Sequence, residues 1–292
     1  MIYMLGMATR FGYALSMNRL PLAKRAQILG MLVEGNSLRA TCRMADVSIN
    51  TVTKLLVDVG ATCERFQDQV LRDIKAKRIQ CDEIWSFVYA KAKNVPEAMQ
   101  QGMVGAVGDV WTWVAIDVET KVVPSWAVGR RDGATAAAFI NDLASRLAHR
   151  VQVTTDGHKV YLEAIEGAFG GDVDYAVLIK LYGGDGKADT RYSPAECLGT
   201  REVCITGQPD RDHISTSYVE RQNLTMRMGM RRFTRLTNGL SKKVENLKAN
   251  VALHYMHYNF GRIHKTLRVT PAMEAGKADH VWSLEEIAAL AS

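Results

Sequence analysis

The hydrophobic period of this chain changes once, near residue 78, and that change limits the architectures open to it. Before it, apolar residues recur at helical spacing. Ile28, Leu29, Leu32 and Val33 form one inner face, which Gly35 ends. Ser37–Ala45 reads as a second, short helix, and Asp46-Val47-Ser48 as a turn. Ser48 is placed to cap a third helix running to about Val59, with Val52, Leu55 and Leu56 inward. A charged helical linker over 61–77 follows. From Arg78 to Val88 the period is two: Ile79, Cys81, Glu83, Trp85 and Phe87 share one face, and Gln80, Asp82, Ile84, Ser86 and Val88 the other.

The strand pattern then continues. Val110–Asp117 and Lys121–Val128, joined by Val118-Glu119-Thr120, suit a hairpin. Ala134–Arg150 reads as a helix, Val151–Thr155 as a short buried strand, His158–Phe169 as a helix and Tyr175–Leu181 as a strand. A hairpin followed by alternating helix and strand predicts an α/β fold, a mixed sheet with helices on its faces. The Gly-rich stretch after Leu181 reads as a loop insertion over about 182–213. Ser215–Arg232 and Leu240–Phe260 are helical in pattern, and 276–292 reads as a C-terminal tail.

Composition excludes several classes. With 292 residues, 47% hydrophobic and 23% charged, the chain is an ordinary folded protein rather than a disordered or fibrous one. Cys42, Cys63, Cys81, Cys197 and Cys204 make no CxxC and no Cys/His pair at zinc-finger spacing. An odd count suits a reducing compartment, and cytoplasm is the expectation. No apolar run reaches the roughly 18 residues of a membrane span. Residues 1–16 read as an upstream extension of the reading frame or a disordered arm, with Met17 the better start.

Two features point to chemistry. The first is a pair of helices joined by a tight turn, the second of them carrying Asn50, Thr51, Thr53 and Lys54 outward. That is the helix-turn-helix pattern that presents polar side chains to a DNA major groove, and 17–60 is read as such a domain. A small helical packing unit is the plainer alternative. The second is the placement of acids. Asp82 lies mid-strand in an apolar run, Asp156 follows a strand at its carboxyl end, and Glu220 lies on a helix with Asn223 and Arg227 near its side. Converging, they would make an oxygen-rich site for hard divalent cations, the chemistry of two-ion phosphoryl transfer. Each also has an ordinary reading, as a turn or a solvated helix face. Glu83, Asp109, Asp117 and Asp132 compete, and spacing does not choose.

The segments QCDEIWSFV, VTTDGH, SYVERQNLTMRMGMRRFTRLTNGLSKKVEN and YNFGRIHKTLRVTPA, in that order, resemble the core of bacterial DDE-type insertion-sequence transposases, closest to the insertion-sequence-one kind. The likeness spans roughly Arg78–Ala272. It implies a ribonuclease-H-like catalytic domain over 78–275 preceded by the helix-turn-helix. Asp82, Asp156 and Glu220 would be the catalytic and metal-binding triad for two Mg²⁺ ions, with Mn²⁺ as substitute. It further implies cleavage at element ends, strand transfer into target DNA, at least a dimer on double-stranded DNA, and a bacterial, nucleoid-associated location. The chain departs from the nearest relatives in lacking a cysteine-rich zinc-binding segment near its N-terminus.

Charge agrees independently. Between Arg221 and Arg268 stand eleven basic residues against Glu245 alone, a net +10 that leaves −4 for the rest of a chain whose total is +6. Phosphates are the expected partner. Arg221, Arg227, Arg231, Arg232, Arg235, Lys242, Lys243, Arg262, His264 and Lys265 are the candidate DNA contacts. His254 and His257, at i and i+3, face a core and read as packing residues, as do Trp111 and Trp113. A nuclease of the same fold, or a helix-turn-helix regulator with an inert α/β module, are the alternatives.

Overall fold

A computed structural model describes residues 19–97, 99, 106–182, 197–234 and 237–291. The proposed N-terminal arm, Arg235 and the first part of the insertion lie outside these residues.

Three helices come first: α1 (Leu22–Val33), α2 (Leu38–Ala45) and α3 (Ile49–Val70). Two serines start the latter pair. Ser37 accepts the Ala40 N–H and Ser48 the Thr51 N–H, both at 3.1 Å, so each helix gains a partner for an otherwise unpaired donor. Asp46 closes α2 in the left-handed region at φ 50°.

The sheet has the order β3-β2-β1-β4-β5-β6. β1 (Arg78–Val88), β2 (Gly108–Asp117) and β3 (Ser125–Gly129) are antiparallel neighbours. β4 (Gln152–Thr155) runs parallel to β1, and β5 (Asp174–Tyr182) parallel to β4. α4 (Gly133–Arg146) and α5 (Val160–Phe169) make the crossovers. The expected mixed α/β sheet with flanking helices is therefore present.

Alternation divides the core. Ile79, Cys81, Trp113 and Val153 face Phe139, Ile140 and Tyr161 of α4 and α5. Ile84, Val110 and Val114 face Val219 and Met226 of α6 (Ser217–Gly229), and Val251 and Tyr255 of α7 (Val244–Met256). From Ala249 to Met256 α7 is buried on all sides, because its other face carries Ala249, Ala252 and Leu253 against the N-terminal helices. α7 continues as a π-helical turn, His257–Gly261, followed by α8 (Pro271–Glu274).

Three expectations need correction. α3 does not stop near Val59 before a separate linker helix. It runs unbroken to Val70, and Gly60 lets α3 approach α7: a Cβ there would stand 2.5 Å from the Ala249 carbonyl oxygen. The insertion is not loop throughout, since Cys197–Thr206 forms β6, antiparallel to β5 at the sheet edge. The tail carries α9 (Leu284–Ala289), started by a Ser283/Glu286 capping box and burying Ile287 and Ala288. Arg25 donates to the Ala288 carbonyl, which ties α9 to α1.

Candidate active site

Strand pairing brings the first two acids together. Cys81 of β1 is level with Thr155 of β4, so the next residue on each parallel strand, Asp82 and Asp156, emerges at the same end of the sheet. Glu83 joins them: the three carboxyls each offer an oxygen within 4.8 Å of the others. Glu220 faces the same cleft from α6 but stands outside that close trio, in which Glu83 takes the third place expected for it. The anchor is Gln80, 2% exposed, whose Oε1 accepts the N–H of Tyr218 at 2.8 Å and of Val219 at 3.1 Å. These are first-turn donors that a helix cannot satisfy itself. Asp82, Asp156 and Glu220 consequently line one cleft of about 570 Å³, together with Arg131, His158 and Lys180.

The acids differ in their partners. Glu83, with its side chain 1% exposed, binds Arg131 at 2.6 Å through one oxygen and accepts the Tyr161 hydroxyl at 3.0 Å through the other. Glu220 is ion-paired with Lys180 of β5 and accepts the Thr216 hydroxyl, both through Oε1. Asp82 and Asp156 form no ion pair among the described residues. Asp82 accepts the Glu83 N–H and the Asn223 carboxamide, each at 2.8 Å, and Asp156 accepts the His158 N–H at 3.0 Å. The Asn223 Oδ1, buried beside Asp82, has no donor among the described residues.

Electrostatics follow from that arrangement. Burial, then the charges of Glu83, Asp156 and Glu220, push Asp82 up to about 7 against the pull of the Glu83 N–H. Burial and Asp156 likewise raise Glu83, with Arg131 and Tyr161 opposing. Two aspartates without a cationic partner, an orphan carboxamide oxygen and a third carboxylate across the cleft form a hard-oxygen donor set, which fits a divalent cation such as Mg²⁺.

Of the competing acids Glu83 belongs to the cluster, and the other three have separate work. Asp109 accepts the Ala92 N–H at 3.0 Å, Asp132 caps α4 through Thr135 at 3.0 Å, and Asp117, buried and raised to about 6, braces the β2–β3 turn through Thr120. His213 bonds Asp210 at 2.7 Å and does not line the cleft. His254 is buried in the core, stacked near Tyr258, as its helix face indicates.

The basic residues separate into groups. Asn50 and Thr53 share a groove with Arg231, Arg232 and Lys242, between the N-terminal helices and the segment before α7. Arg232 is largely committed there: its guanidinium bonds the Asn250 Oδ1, and burial lowers it to about 10. Thr51 bonds the Ser48 hydroxyl at 2.9 Å, and Lys54 pairs with Asp58 at 2.5 Å. Lys243 is exposed and Arg227 half-buried. Arg221, Arg262, His264 and Lys265 gather on another flank of α6.

Spacing and composition give no sign of the places Lys180, Thr216 and Arg131 take in the cleft. Only Gln80 gives a signal, as a polar residue on the same strand face as Asp82. No family model and no curated protein matches the chain. No helix among the described residues is long and apolar enough to cross a membrane.

Proposed function

We propose that this chain is a DNA transposase that performs metal-dependent phosphoryl transfer. The observation that carries the reading is the cleft itself, in which two aspartates without ion pairs face Glu220 across an opening lined by Arg131 and Lys180. Three antiparallel strands followed by two parallel ones, with helices on both faces, are compatible with a ribonuclease-H-like fold. α2 and α3, joined by their tight turn, act in this reading as a helix-turn-helix that contacts element ends through Asn50, Thr51, Thr53 and Lys54.

Asp82, Asp156 and Glu220 would hold one or two Mg²⁺ ions, with Mn²⁺ as substitute. The bound metal supplies Lewis acidity toward a phosphodiester and its attacking oxygen. The protein's own groups do the rest. Asn223 fixes the Asp82 carboxylate, Gln80 fixes the helix that carries Glu220, and Lys180 balances the Glu220 charge until substrate arrives. In the first step a water oxygen attacks phosphorus at the element end, and the 3′-oxygen leaves as a hydroxyl. That hydroxyl then attacks a target phosphodiester, whose own 3′-oxygen leaves. Two ends must meet for transfer, so at least a dimer works on the duplex.

Purified protein incubated with Mg²⁺, labelled end fragments and a target plasmid tests the reading. Joined products support it. Cutting without joining favours the nuclease, and chelator-indifferent binding without strand breakage favours the regulator. Asp156→Ala or Glu220→Ala abolishes cleavage and leaves duplex binding in place; full activity in either refutes the assignment.

A further inference from the structure

The acidic residue of α6 and its basic residues point in opposite directions. At about 100° per residue, Thr216, Glu220 and Asn223 fall on the side of the acidic cleft, whereas Tyr218, Arg221, Gln222 and Thr225 fall on the far side. There they line a second, smaller pocket with Lys121 from the β2–β3 turn and Arg262, His264 and Lys265 from the segment after α7. Among the described residues, no Asp or Glu lines it. None of the four cations forms an ion pair with a carboxylate among the described residues.

The pocket is built rather than incidental. Lys121 occupies the left-handed region at φ 61°, its ammonium group donates to the Val118 carbonyl, and it lies 3.6 Å above the Tyr218 ring. The Tyr258 hydroxyl donates to the Lys121 carbonyl at 3.0 Å, fixing the turn against the π-helical segment. Burial and the adjacent charges of Lys121 and Arg262 lower the His264 pKa. Gln222, 3% exposed, lines the pocket; its carboxamide nitrogen lies near the Tyr255 hydroxyl but makes no hydrogen bond of normal geometry, and the buried His264 Nδ1 has no partner among the described residues. Converging cations and an unused donor describe a site for an anion. Its volume of about 200 Å³, against roughly 30 Å³ for a liquid water, admits one phosphate group with a few waters and no folded element.

The geometry points to a single-phosphate pocket: Lys121, Arg221, Arg262 and Lys265 grip one phosphate of a nucleic-acid strand on the flank of α6 opposite Glu220, an inference that rests on the nucleic-acid reading above. It assigns Lys121, Tyr218 and Gln222 to binding, and it distinguishes a discrete grip from a diffuse basic stripe.

Anisotropy of a labelled short duplex, titrated over a range of salt, tests it with Arg221→Gln, Lys265→Gln and the double variant. Arg221 and Lys265 are exposed, and equal thermal melts verify that the fold is intact. Each contacted phosphate adds about 0.9 to the salt slope. Residues sharing one phosphate therefore behave non-additively. Each single variant loses roughly tenfold in affinity, and the double variant lowers the slope by about 1. A slope change near 2 with additive losses overturns the single-phosphate pocket in favour of a stripe. A wild-type protein that binds duplex, with variants that match it, overturns the pocket and leaves the nucleic-acid reading standing. A wild-type protein that binds no duplex at low salt removes both. Comparing 5′-phosphorylated with 5′-hydroxyl duplexes identifies the source: tighter binding of the former assigns a terminal monoester, equal binding a backbone diester, and either supports the pocket once the variants respond.

Discussion

Gln80 and Tyr218, far apart in sequence, are joined by a hydrogen bond that sets the depth of the acidic cleft: the Gln80 Oε1 accepts the Tyr218 N–H at 2.8 Å and takes Val219 as a second donor. Gln80→Leu keeps the shape and removes the acceptor. It leaves two first-turn donors unmatched in a buried setting, at a cost of about 1–3 kcal/mol. Urea unfolding should show that loss. Mg²⁺ affinity, followed by isothermal titration, should weaken because Glu220 is no longer held. Unchanged stability would mean that water replaces the carboxamide.

Asp82→Asn should stabilise the metal-free protein while ending cleavage. The charged carboxylate is buried among three other acids, and its pKa near 7, above the ordinary value, means that ionising it opposes folding. That penalty grows as pH rises from the unfolded value of 3.8 to about 7 and levels off above it. At pH 8 without divalent cations, the variant should melt higher than wild type by several degrees. A lower melting temperature would indicate that the Asn223 contact outweighs the repulsion.

Gly60→Ala sets helix propensity against packing. Alanine is the better helix former by about 1 kcal/mol. Its methyl, however, would meet the α7 backbone at Ala249, and overpacking of that kind costs about 1–3 kcal/mol. Net destabilisation is expected, read as a lower urea midpoint with an unchanged slope.

His254 gives the fold an acid-side weakness. Its ring is buried with Nε2 unpartnered, and burial lowers the pKa to about 3. Between about 6.5 and 3 the unfolded chain takes up a proton that the folded one refuses. Stability should therefore fall with pH by up to about 1.4 kcal/mol per unit from this group. Asp82 acts in the opposite sense, so the contribution is isolated by comparison with His254→Leu. Urea unfolding at pH 7, 6 and 5 should show a shallower decline in the variant, and parallel declines would exonerate His254.

Much of this arrangement is legible in the sequence where one face of an element is buried. The alternation over Arg78–Val88 delimits β1 to the residue, and the strand, helix, strand sequence predicts the mixed sheet. β6 escapes notice because it is an edge strand with little buried on either side; Leu198 is 69% exposed, and no alternation survives in CLGTREVCIT. The end expected near Val59 fails because Gly60, a poor residue for an isolated helix, permits close approach between two packed ones. In the cleft, Asp82 and Asp156 are readable from their strand positions. The pairing of Lys180 with Glu220 and of Arg131 with Glu83 depends on three-dimensional neighbours that no spacing encodes.

Because α3 runs unbroken from Ile49 to Val70, it is a rod about 33 Å long whose far half is wedged into the body of the molecule. A flexible tether between residues 61 and 70 would tolerate a lost residue; here one deletion swings everything upstream through about 100° and draws it in by about 1.5 Å. Asn50 is thereby clocked to the sheet, and the orientation of that distant tip is inherited from the same packing that shapes the interior.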